Sequence, residues 1–379
     1  MVSSEERALL ASIPNSVAIP RKSQLSRDAT DRDHMAGEGA PVVVTDAQAS
    51  WAAARTWSFE HLARTYGSDP LIASDKAPLR LEDSPPAVAL RTTMAEFVRY
   101  VLRPEGTALA ARERECGAPF YANSWAPFNE HPELLADIGA PYFVADMMAE
   151  DPECPADLSH QFTKVFLGPA GTLTRLHNDS FATHAWLSQI RGRKQFILYP
   201  PSQARLLHAS EGVAGGHGAE QTWFDPLRPD FRRFPRAVAA TAHIAVCEEG
   251  ETVLVPSGWF HHAVSLTGSI TLMRNFVNQA NFEAFQRLYA APRPAAPPRA
   301  PPEPAPEVVA KPAPSPNVVA KPAPSPVVVA KPKPPVAAAP PAVWSAAVIT
   351  ATGSVPFARR AARTRQRWRP ARRAVDAVR

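Results

Sequence analysis

Two stretches of this 379-residue chain decide its fold: Thr174-Arg-Leu-His177-Asn-Asp179 and, further along, Gly258-Trp-Phe-His261. Successive side chains of a β-strand point to opposite faces, so residues i and i+2 share one face. His177 and Asp179 therefore project to the same side when their segment is extended. His261 begins a later predicted strand, which can bring it across the same interior.

Short strands and close turns dominate the chain around these two stretches. The candidate strands are Phe162–Leu167, Thr172–His177, Gln195–Tyr199, His243–Cys247, Thr252–Val255, Trp259–Val264 and Ser269–Phe276. Glycines fall between or beside them, where turns need a permissive backbone. This pattern favours a mainly β fold, either a barrel or a double-stranded β-helix of the jelly-roll type.

Helical pieces flank the predicted sheets on both sides along the chain. Trp57–Tyr66 and Thr92–Tyr100 read as helices, and the β-branched Pro41–Thr45 reads as a strand before them. After the strands, Phe282, Phe285 and Leu288 have the spacing of one helical face. We interpret that face as core, with a homodimer contact as the alternative.

Composition divides the chain into three parts. Residues 291–340 hold 18 of the 42 prolines and repeat Val308–Pro316 at Val318–Pro326. Such a segment cannot bury a core, and polyproline II makes it an extended spacer, with a docking site for a proline-binding module as the alternative. We therefore predict one folded domain over residues 1–290, a disordered Pro-rich linker over 291–340 and a mostly disordered Arg-rich tail over 341–379.

The net charge of +5 is unevenly distributed over these parts. The tail has nine arginines and one aspartate, giving +8, and the linker contributes +4, which leaves −7 for residues 1–290. The folded domain is therefore acidic, and no broad nucleic-acid-binding face is expected on it. The tail is a candidate for binding nucleic acid or another anionic surface, with a solvated tail as the alternative.

Cysteine usage and the chain start bear on location. Cys116, Cys154 and Cys247 are widely spaced and include no CxxC pair, so we interpret them as reduced packing residues. The first residues lack a basic start followed by an apolar stretch, and no apolar run approaches a membrane span. These features predict no transmembrane segment and a cytoplasmic protein.

Two histidines and one aspartate form a potential metal site. Two imidazoles and one carboxylate on one face of an iron leave the opposite positions open, as in non-heme Fe(II) oxygenases. A His-x-Asp pair alone is weak, because a lone histidine is more often a hydrogen-bonded structural residue. The combination of His177, Asp179 and His261 is more specific.

The surrounding motifs strengthen this interpretation. They comprise Gly250-Glu-Thr-Val-Leu-Val-Pro-Ser-Gly-Trp-Phe-His261, Gln189-Ile-Arg-Gly-Arg-Lys-Gln-Phe-Ile-Leu-Tyr-Pro-Pro201 and Trp125-Ala-Pro-Phe-Asn-Glu-His-Pro-Glu-Leu134. With them the chain resembles the Jumonji-C-type and cupin-like 2-oxoglutarate oxygenases, the group that includes the asparaginyl hydroxylase of hypoxia-inducible factor. The resemblance covers roughly residues 13–289.

The resemblance implies a ligand set for Fe(II). In that family the matching motif positions are His177, Asp179 and His261. His262 competes for the third position, since the two histidines are adjacent and only one can face inward. The position of the histidine in the Gly-Trp-Phe-His motif favours His261.

The resemblance also implies a site for 2-oxoglutarate as cosubstrate. Its far carboxylate needs a cation and a hydroxyl once it is buried, because an unpaired buried charge is costly. Lys194 and Thr174 match the family positions for that pair. Asn275 aligns with a family asparagine near the cosubstrate carboxylates, and Tyr121 is a candidate phenol donor with a core aromatic as the alternative.

The implied activity is an iron-dependent dioxygenase reaction. It couples decarboxylation of 2-oxoglutarate to succinate and CO2 with hydroxylation of a C–H bond, and a protein or peptide side chain is the expected substrate by analogy alone. A small molecule or a modified tRNA base is the alternative substrate. Two other classes stay open: a non-catalytic cupin-like binding module acting through its tail, and a Zn or Mn cupin isomerase.

Overall fold

Two mixed β-sheets form the centre of the part of the chain that the computed structural model describes, residues 3–75, 88–139, 141–152, 154 and 156–290. The Pro-rich linker and the Arg-rich tail predicted from the sequence lie outside these described residues. Within the described ranges, no helix is long and apolar enough to cross a membrane.

The strands of the described ranges run from residue 16 to residue 276. In chain order they are β1 (Ser16–Ala18), β2 (Arg21–Lys22), β3 (Val42–Val44), β4 (Pro70–Asp75), β5 (Ala89–Thr93), β6 (Phe120–Trp125), β7 (Thr163–Gly168), β8 (Leu173–His177), β9 (His184–Arg191), β10 (Lys194–Tyr199), β11 (Val213–Gly216), β12 (Ala219–Gln221), β13 (Ala242–Cys247), β14 (Thr252–Val255), β15 (Phe260–Ser265) and β16 (Ser269–Phe276).

From β7 to β10 and again from β13 to β16, successive strands alternate between the two sheets, as in a jelly roll. One sheet has the order β1-β13-β10-β15-β8-β12-β11, and the other has the order β2-β3-β14-β9-β16-β7-β6-β4-β5. Neighbours are antiparallel except β1 beside β13 and β2 beside β3. The double-stranded β-helix predicted from the sequence is therefore confirmed.

The helices flank these sheets. They are α1 (Ser4–Ser12), α2 (Arg27–Thr30), α3 (Ala53–Thr56), α4 (Phe59–Thr65), α5 (Met94–Leu102), α6 (Ala108–Cys116), α7 (Leu134–Asp137), α8 (Met147–Glu150), α9 (Ala156–Gln161) and α10 (Phe282–Ala290). A π-helical turn covers Asp31–Met35, and short 3-10 turns join several strands.

Local sequence explains where the predicted helices begin. Ser58 caps α4 by accepting a hydrogen bond from the backbone N–H of His61. Thr93 and Glu96 form a reciprocal capping box at α5, which satisfies two N–H groups that the helix itself leaves free. Both helices start slightly later than the sequence patterns predict, because the cap residues lie outside the helix.

Apolar layers lie on both faces of the nine-stranded sheet. The outer face packs against α4 and α5 through residues such as Phe59 and Phe97. The inner face meets the seven-stranded sheet in a layer that includes Val43, Leu187 and Phe196. Burial on both faces explains the continuous apolar run of β3, whose three valines are fully buried.

The last helix packs against the end of the jelly roll. Phe285 is fully buried and stacks on Tyr289, and Phe282 packs against the same cluster. The helical face predicted from Phe282, Phe285 and Leu288 thus contributes to the core of its own chain. A homodimer stays a prediction.

Candidate metal centre

Strands β8 and β15 place two histidines side by side. In the antiparallel register between these strands, His261 lies opposite His177. The two imidazole rings are 4.2 Å apart between centroids. Side chains directly opposite each other on one sheet face are close neighbours, so the register alone brings the two imidazoles together.

Asp179 joins the two histidines from just beyond the end of β8. The strand ends at His177, and the backbone of Asp179 is still extended, with φ −81° and ψ 149°. The same-face argument made for a strand therefore still applies. Asp179 Oδ1 lies 3.6 Å from His177 Nε2 and 3.9 Å from His261 Nε2.

The three side chains offer a donor set that fits a metal ion. One ligand atom from each of His177, Asp179 and His261 lies within 4.8 Å of the other two. Metal–ligand bonds to imidazole nitrogen and carboxylate oxygen are about 2.0–2.2 Å long, so the separations of 3.6 and 3.9 Å between Asp179 and the two histidines fit one ion bound between them. His177 keeps 27% and Asp179 17% of its side-chain surface exposed, so the ligands are accessible.

Backbone carbonyls fix the orientation of both imidazoles. His177 Nδ1 donates to the carbonyl of Arg175 over 2.7 Å, and His261 Nδ1 donates to the carbonyl of Trp259 over 3.1 Å. Donation from Nδ1 leaves Nε2 of each ring as the free acceptor. A metal-binding histidine needs this arrangement, because its second nitrogen sets the tautomer.

Charge within the cluster favours metal binding at neutral pH. Burial and the neighbouring His177 lower the pKa of His261 to about 4, so its imidazole is neutral at pH 7. Burial would raise the pKa of Asp179, but the two histidines and the amide of Asn275 hold it below its ordinary value. The site thus combines a neutral imidazole ligand with an ionised carboxylate.

A strained turn follows the carboxylate ligand. Phe181 and Ala182 both have positive φ angles, 62° and 51°, which residues other than glycine rarely adopt. Ser257 and Asn281 each donate a side-chain hydrogen bond to the carbonyl of Ala182, over 2.8 and 2.9 Å. These bonds hold a turn that redirects the chain from Asp179 into β9.

Lys194 lies at the other end of the same interior. Its side chain is buried, with 2% of the residue exposed, and Nζ donates to Tyr121 over 3.0 Å and to Thr271 over 2.7 Å. Thr174 hydrogen-bonds to the Tyr121 hydroxyl. The three predicted cosubstrate residues Lys194, Thr174 and Tyr121 therefore come together.

Among the described residues, Lys194 has hydroxyl partners and no carboxylate partner. Burial lowers its pKa to about 7, and no carboxylate of the described ranges is in ion-pair contact with it. A buried cation without a counter-charge is costly unless a ligand supplies one. This end of the interior between the sheets is thus suited to a carboxylate.

The fourth predicted cosubstrate residue, Asn275, is hydrogen-bonded to Asp179, one of the candidate metal ligands. Its side-chain amide donates to Asp179 Oδ2 over 2.8 Å and to Thr183 Oγ1 over 3.1 Å. A direct contact between Asn275 and a cosubstrate stays a prediction.

His262 points away from the cluster, as strand alternation requires. His262 lies opposite Ile197, on the face of the seven-stranded sheet that is turned away from the other sheet. His261 lies opposite Leu198, on the face that meets the nine-stranded sheet. Within the described part of the chain, His262 Nδ1 is buried and has no hydrogen-bond partner. The structure therefore brings His261, the preferred candidate, to the other two ligands.

The sequence patterns missed two inward-facing polar residues. Thr271 accepts from Lys194 and donates to Gln189 over 3.0 Å, although it reads as an ordinary strand residue. Lys164 is a partly buried lysine of β7 whose charge interacts with Asp179. Period-two alternation along β16 and β7 is the signal that points to both.

Comparison with known families identifies the family to which this chain belongs. The family described as the cupin-like domain matches residues 28–282, more than half of the chain. The chain belongs to the cupin-like domain family. The resemblance predicted from the sequence motifs is confirmed at this level.

Several relatives of this cupin-like chain are oxygenases by name. The 2-oxoglutarate and iron-dependent oxygenase JMJD4 of Gallus gallus is 27% identical over 242 residues, 61% of this chain and 53% of the relative. The bifunctional arginine demethylase and lysyl-hydroxylase psr-1 of Caenorhabditis elegans is 27% identical over 252 residues, which are 64% of this chain and 56% of the relative. The lysine-specific demethylase JMJ21 of Arabidopsis thaliana is 24% identical over 270 residues, which are 70% of this chain and 26% of the relative.

The chain spans about half the length of the first two relatives and about a quarter of the third.

Proposed function

We propose that this protein is an Fe(II)- and 2-oxoglutarate-dependent oxygenase that hydroxylates a C–H bond of a protein or peptide side chain. Succinate and CO2 are the coproducts. Support comes from the site geometry and from relatives whose names include 2-oxoglutarate and iron-dependent oxygenase.

One observation carries the proposal: three side chains that could hold a metal ion face the same interior as a buried lysine that has no ion-pair partner among the described residues. In the register between β10 and β15, Leu198 lies opposite His261 and Lys194 lies opposite Ser265. Lys194 and Leu198 are four residues apart, so they share one strand face. The ammonium and the ligand cluster are therefore positioned to bind the two ends of one small molecule.

The candidate residues would bind two different groups, the iron and the cosubstrate. His177, Asp179 and His261 would hold the iron, which supplies the oxidation chemistry when bound and leaves coordination positions for cosubstrate and oxygen. Lys194 would bind the far carboxylate of 2-oxoglutarate. Tyr121 and Thr174 would add hydroxyl groups there, and the buried surroundings would exclude water from the reacting centre.

The lysine separates this function from the alternatives. A silent binding module has no need of a buried ammonium that lacks a counter-charge, because such a group destabilises the empty fold. A Zn or Mn isomerase would use the three ligands but would not require a diacid-binding lysine. Lys194 therefore favours the oxygenase.

The test is succinate release from 2-oxoglutarate by the Fe(II)-loaded protein. Wild-type protein should release succinate, His177→Ala should release none above background, and Lys194→Met should need far more 2-oxoglutarate. His61→Ala, on helix α4 outside the jelly roll, is the matched control and should behave as wild type. Equal release by wild type and His177→Ala would defeat the proposal.

The protein-substrate part of the proposal rests on analogy. One relative is named a lysyl-hydroxylase and arginine demethylase, and others are named lysine- or arginine-specific demethylases. Treating a cell extract with active protein or His177→Ala and searching peptides, RNA and metabolites for an added oxygen tests it. Oxygen found only in RNA or a metabolite would replace the peptide substrate.

We also propose the division of the chain into an oxygenase domain over 1–290, a spacer over 291–340 and a basic tail that binds an anionic partner. The tail has a balance of eight positive charges. Binding of the full chain to RNA or anionic vesicles should fall steeply with added salt, and a chain ending at residue 290 should not bind. Equal binding by both chains would contradict the role of the tail.

A further inference from the structure

A second lysine faces the interior that holds the predicted site. Along β7, Val165 and Leu167 pack in the apolar layer on the outer face of the nine-stranded sheet. Lys164 and Phe166 therefore point to the inner face. The centroid of the Phe166 ring lies 5.7 Å from Nζ of Lys194, so this side of β7 faces the same interior as Lys194.

The strand register locates Lys164 between the two ends of the pocket. On β16, Thr271 lies opposite Phe166 and Met273 lies opposite Lys164. Thr271 accepts from Lys194 at one end. Asn275, two residues beyond Met273, donates to Asp179 at the other. Lys164 thus lies along the path that joins the diacid-binding lysine to the metal ligands.

The surroundings of the Lys164 amine differ from those of Lys194. Among the residues that the structure describes, none forms a hydrogen bond or an ion pair with Lys164. Burial lowers its pKa, and the charge of Asp179 opposes that shift. The carboxylate of Asp179 is itself occupied by Asn275 and faces both histidines. Lys164 and Lys194 thus face one interior, and neither forms an ion pair with a carboxylate of the described residues.

We propose that Lys164 binds the carboxylate of the cosubstrate that lies beside the metal, so that the pocket holds a diacid with one ammonium near each end. This inference rests on the proposed function and deepens it. A carboxylate has two oxygens, so one can ligate a metal while the other accepts a hydrogen bond from Lys164. Two lysines then match the two negative charges of 2-oxoglutarate.

Two five-carbon acids separate the roles of the two lysines. 2-Oxopentanoate keeps the carboxylate next to the keto group and has a methyl group at the far end. 4-Oxopentanoate keeps the far carboxylate and has a methyl group in place of the other. Affinities of both acids and of 2-oxoglutarate are measured by calorimetry on the Fe(II)-loaded protein without oxygen, so no turnover occurs.

The variants are Lys164→Met, Lys164→Gln and Lys194→Met, with Lys22→Met as a matched control outside the pocket. Lys164→Met should weaken 2-oxoglutarate and 2-oxopentanoate by about tenfold or more and leave 4-oxopentanoate unchanged. Lys194→Met should weaken the binding of 2-oxoglutarate and 4-oxopentanoate and leave the binding of 2-oxopentanoate unchanged. Lys22→Met should leave all three affinities unchanged. Lys164→Gln keeps a polar side chain and should repeat the result if the Met variant folds poorly.

Unchanged binding of 2-oxopentanoate to both Lys164 variants would overturn the inference. So would equal losses for the two monoacids, since these would mean a general structural effect. The succinate assay keeps this result apart from the proposed function. Turnover by wild type with unchanged binding in the variants refutes only the role of Lys164, whereas selective binding without turnover refutes only the oxygenase activity.

Discussion

Asn275 donates its side-chain amide to Oδ2 of Asp179 over 2.8 Å, on the carboxylate oxygen other than the one nearest the two histidines. The hydrogen bond fixes which oxygen faces the metal site. Asn275 is thus a positioning residue for the metal ligand, in addition to the cosubstrate contact that the sequence predicts for it.

Removing this amide should weaken metal binding. Asn275→Ala frees Asp179 to rotate and removes a donor that stabilises its charge, so we expect metal affinity to fall by about 10- to 100-fold. Competition with a chelator measures the change. Asn129→Ala, at an exposed asparagine, is the control and should bind as wild type. Equal affinity in Asn275→Ala would show that Asp179 is held by other contacts.

The adjacent histidines should behave differently on substitution. His261→Ala removes a ligand and should abolish stoichiometric metal binding. His262→Phe replaces a buried ring that has an unpartnered Nδ1, so metal affinity should persist and the unfolding free energy should change by less than about 1 kcal/mol. Metal titration and chemical denaturation measure both. Loss of metal binding in His262→Phe alone would reverse the assignment.

Binding of 2-oxoglutarate should take up a proton above neutral pH. Burial lowers the pKa of Lys194 to about 7 in the free protein, and a bound carboxylate should raise it. Between these two pKa values the free lysine is neutral and the bound lysine is charged, so affinity should fall as pH rises above about 7. Below pH 7 this lysine is charged in both states and contributes no pH dependence.

Calorimetry at pH 8 in buffers of different ionisation enthalpy measures that uptake. Lys194→Met should take up less than wild type and should lose the corresponding pH dependence. Identical proton uptake by both proteins would mean that Lys194 does not titrate on binding.

The N-terminal helix should stabilise the fold through a buried ion pair. Arg21 bonds to Glu6 over 2.8 Å, and the Glu6 carboxylate, which is fully buried, also accepts from the backbone N–H of Val246. Glu6→Ala leaves the guanidinium without this partner and should cost about 3–5 kcal/mol in unfolding free energy. Glu5→Ala breaks an exposed pair with Arg193 and should leave the Tm unchanged. Similar effects of both substitutions would contradict the role of burial.

Local patterns predicted most of the jelly roll but missed one of its central strands. The predicted strands around both histidines agree with the structure to within about a residue at each end, because alternation and turn glycines are local signals. Strand β9 was not predicted, because Ser188 and Gln189 interrupt its apolar residues. Both are buried, and their polar groups are satisfied by Thr252 and Thr271 from other strands. Such long-range pairing leaves no local pattern.

The candidate site was predictable to a similar extent. Motif spacing identified His177, Asp179 and His261, which the fold brings together. Lys164 and Thr271 were missed because each belongs to an ordinary strand: alternation gives the face on which each lies, and the register between β7 and β16 is needed to locate them beside the site. Residues defined by motifs were found, and residues defined by sheet pairing were not.

The carbonyls of Arg175 and Trp259, each two residues before its histidine, hold both rings before any ion arrives. Folding has therefore already restricted the rotamers of these ligands, and little entropy remains to be lost when an ion enters. Such a preset triad should take up Co(II), Ni(II) and Zn(II) at least as tightly as Fe(II), following the usual affinity order of divalent ions. The supply of metals in the cell, more than the shape of the triad, would then decide which ion is present.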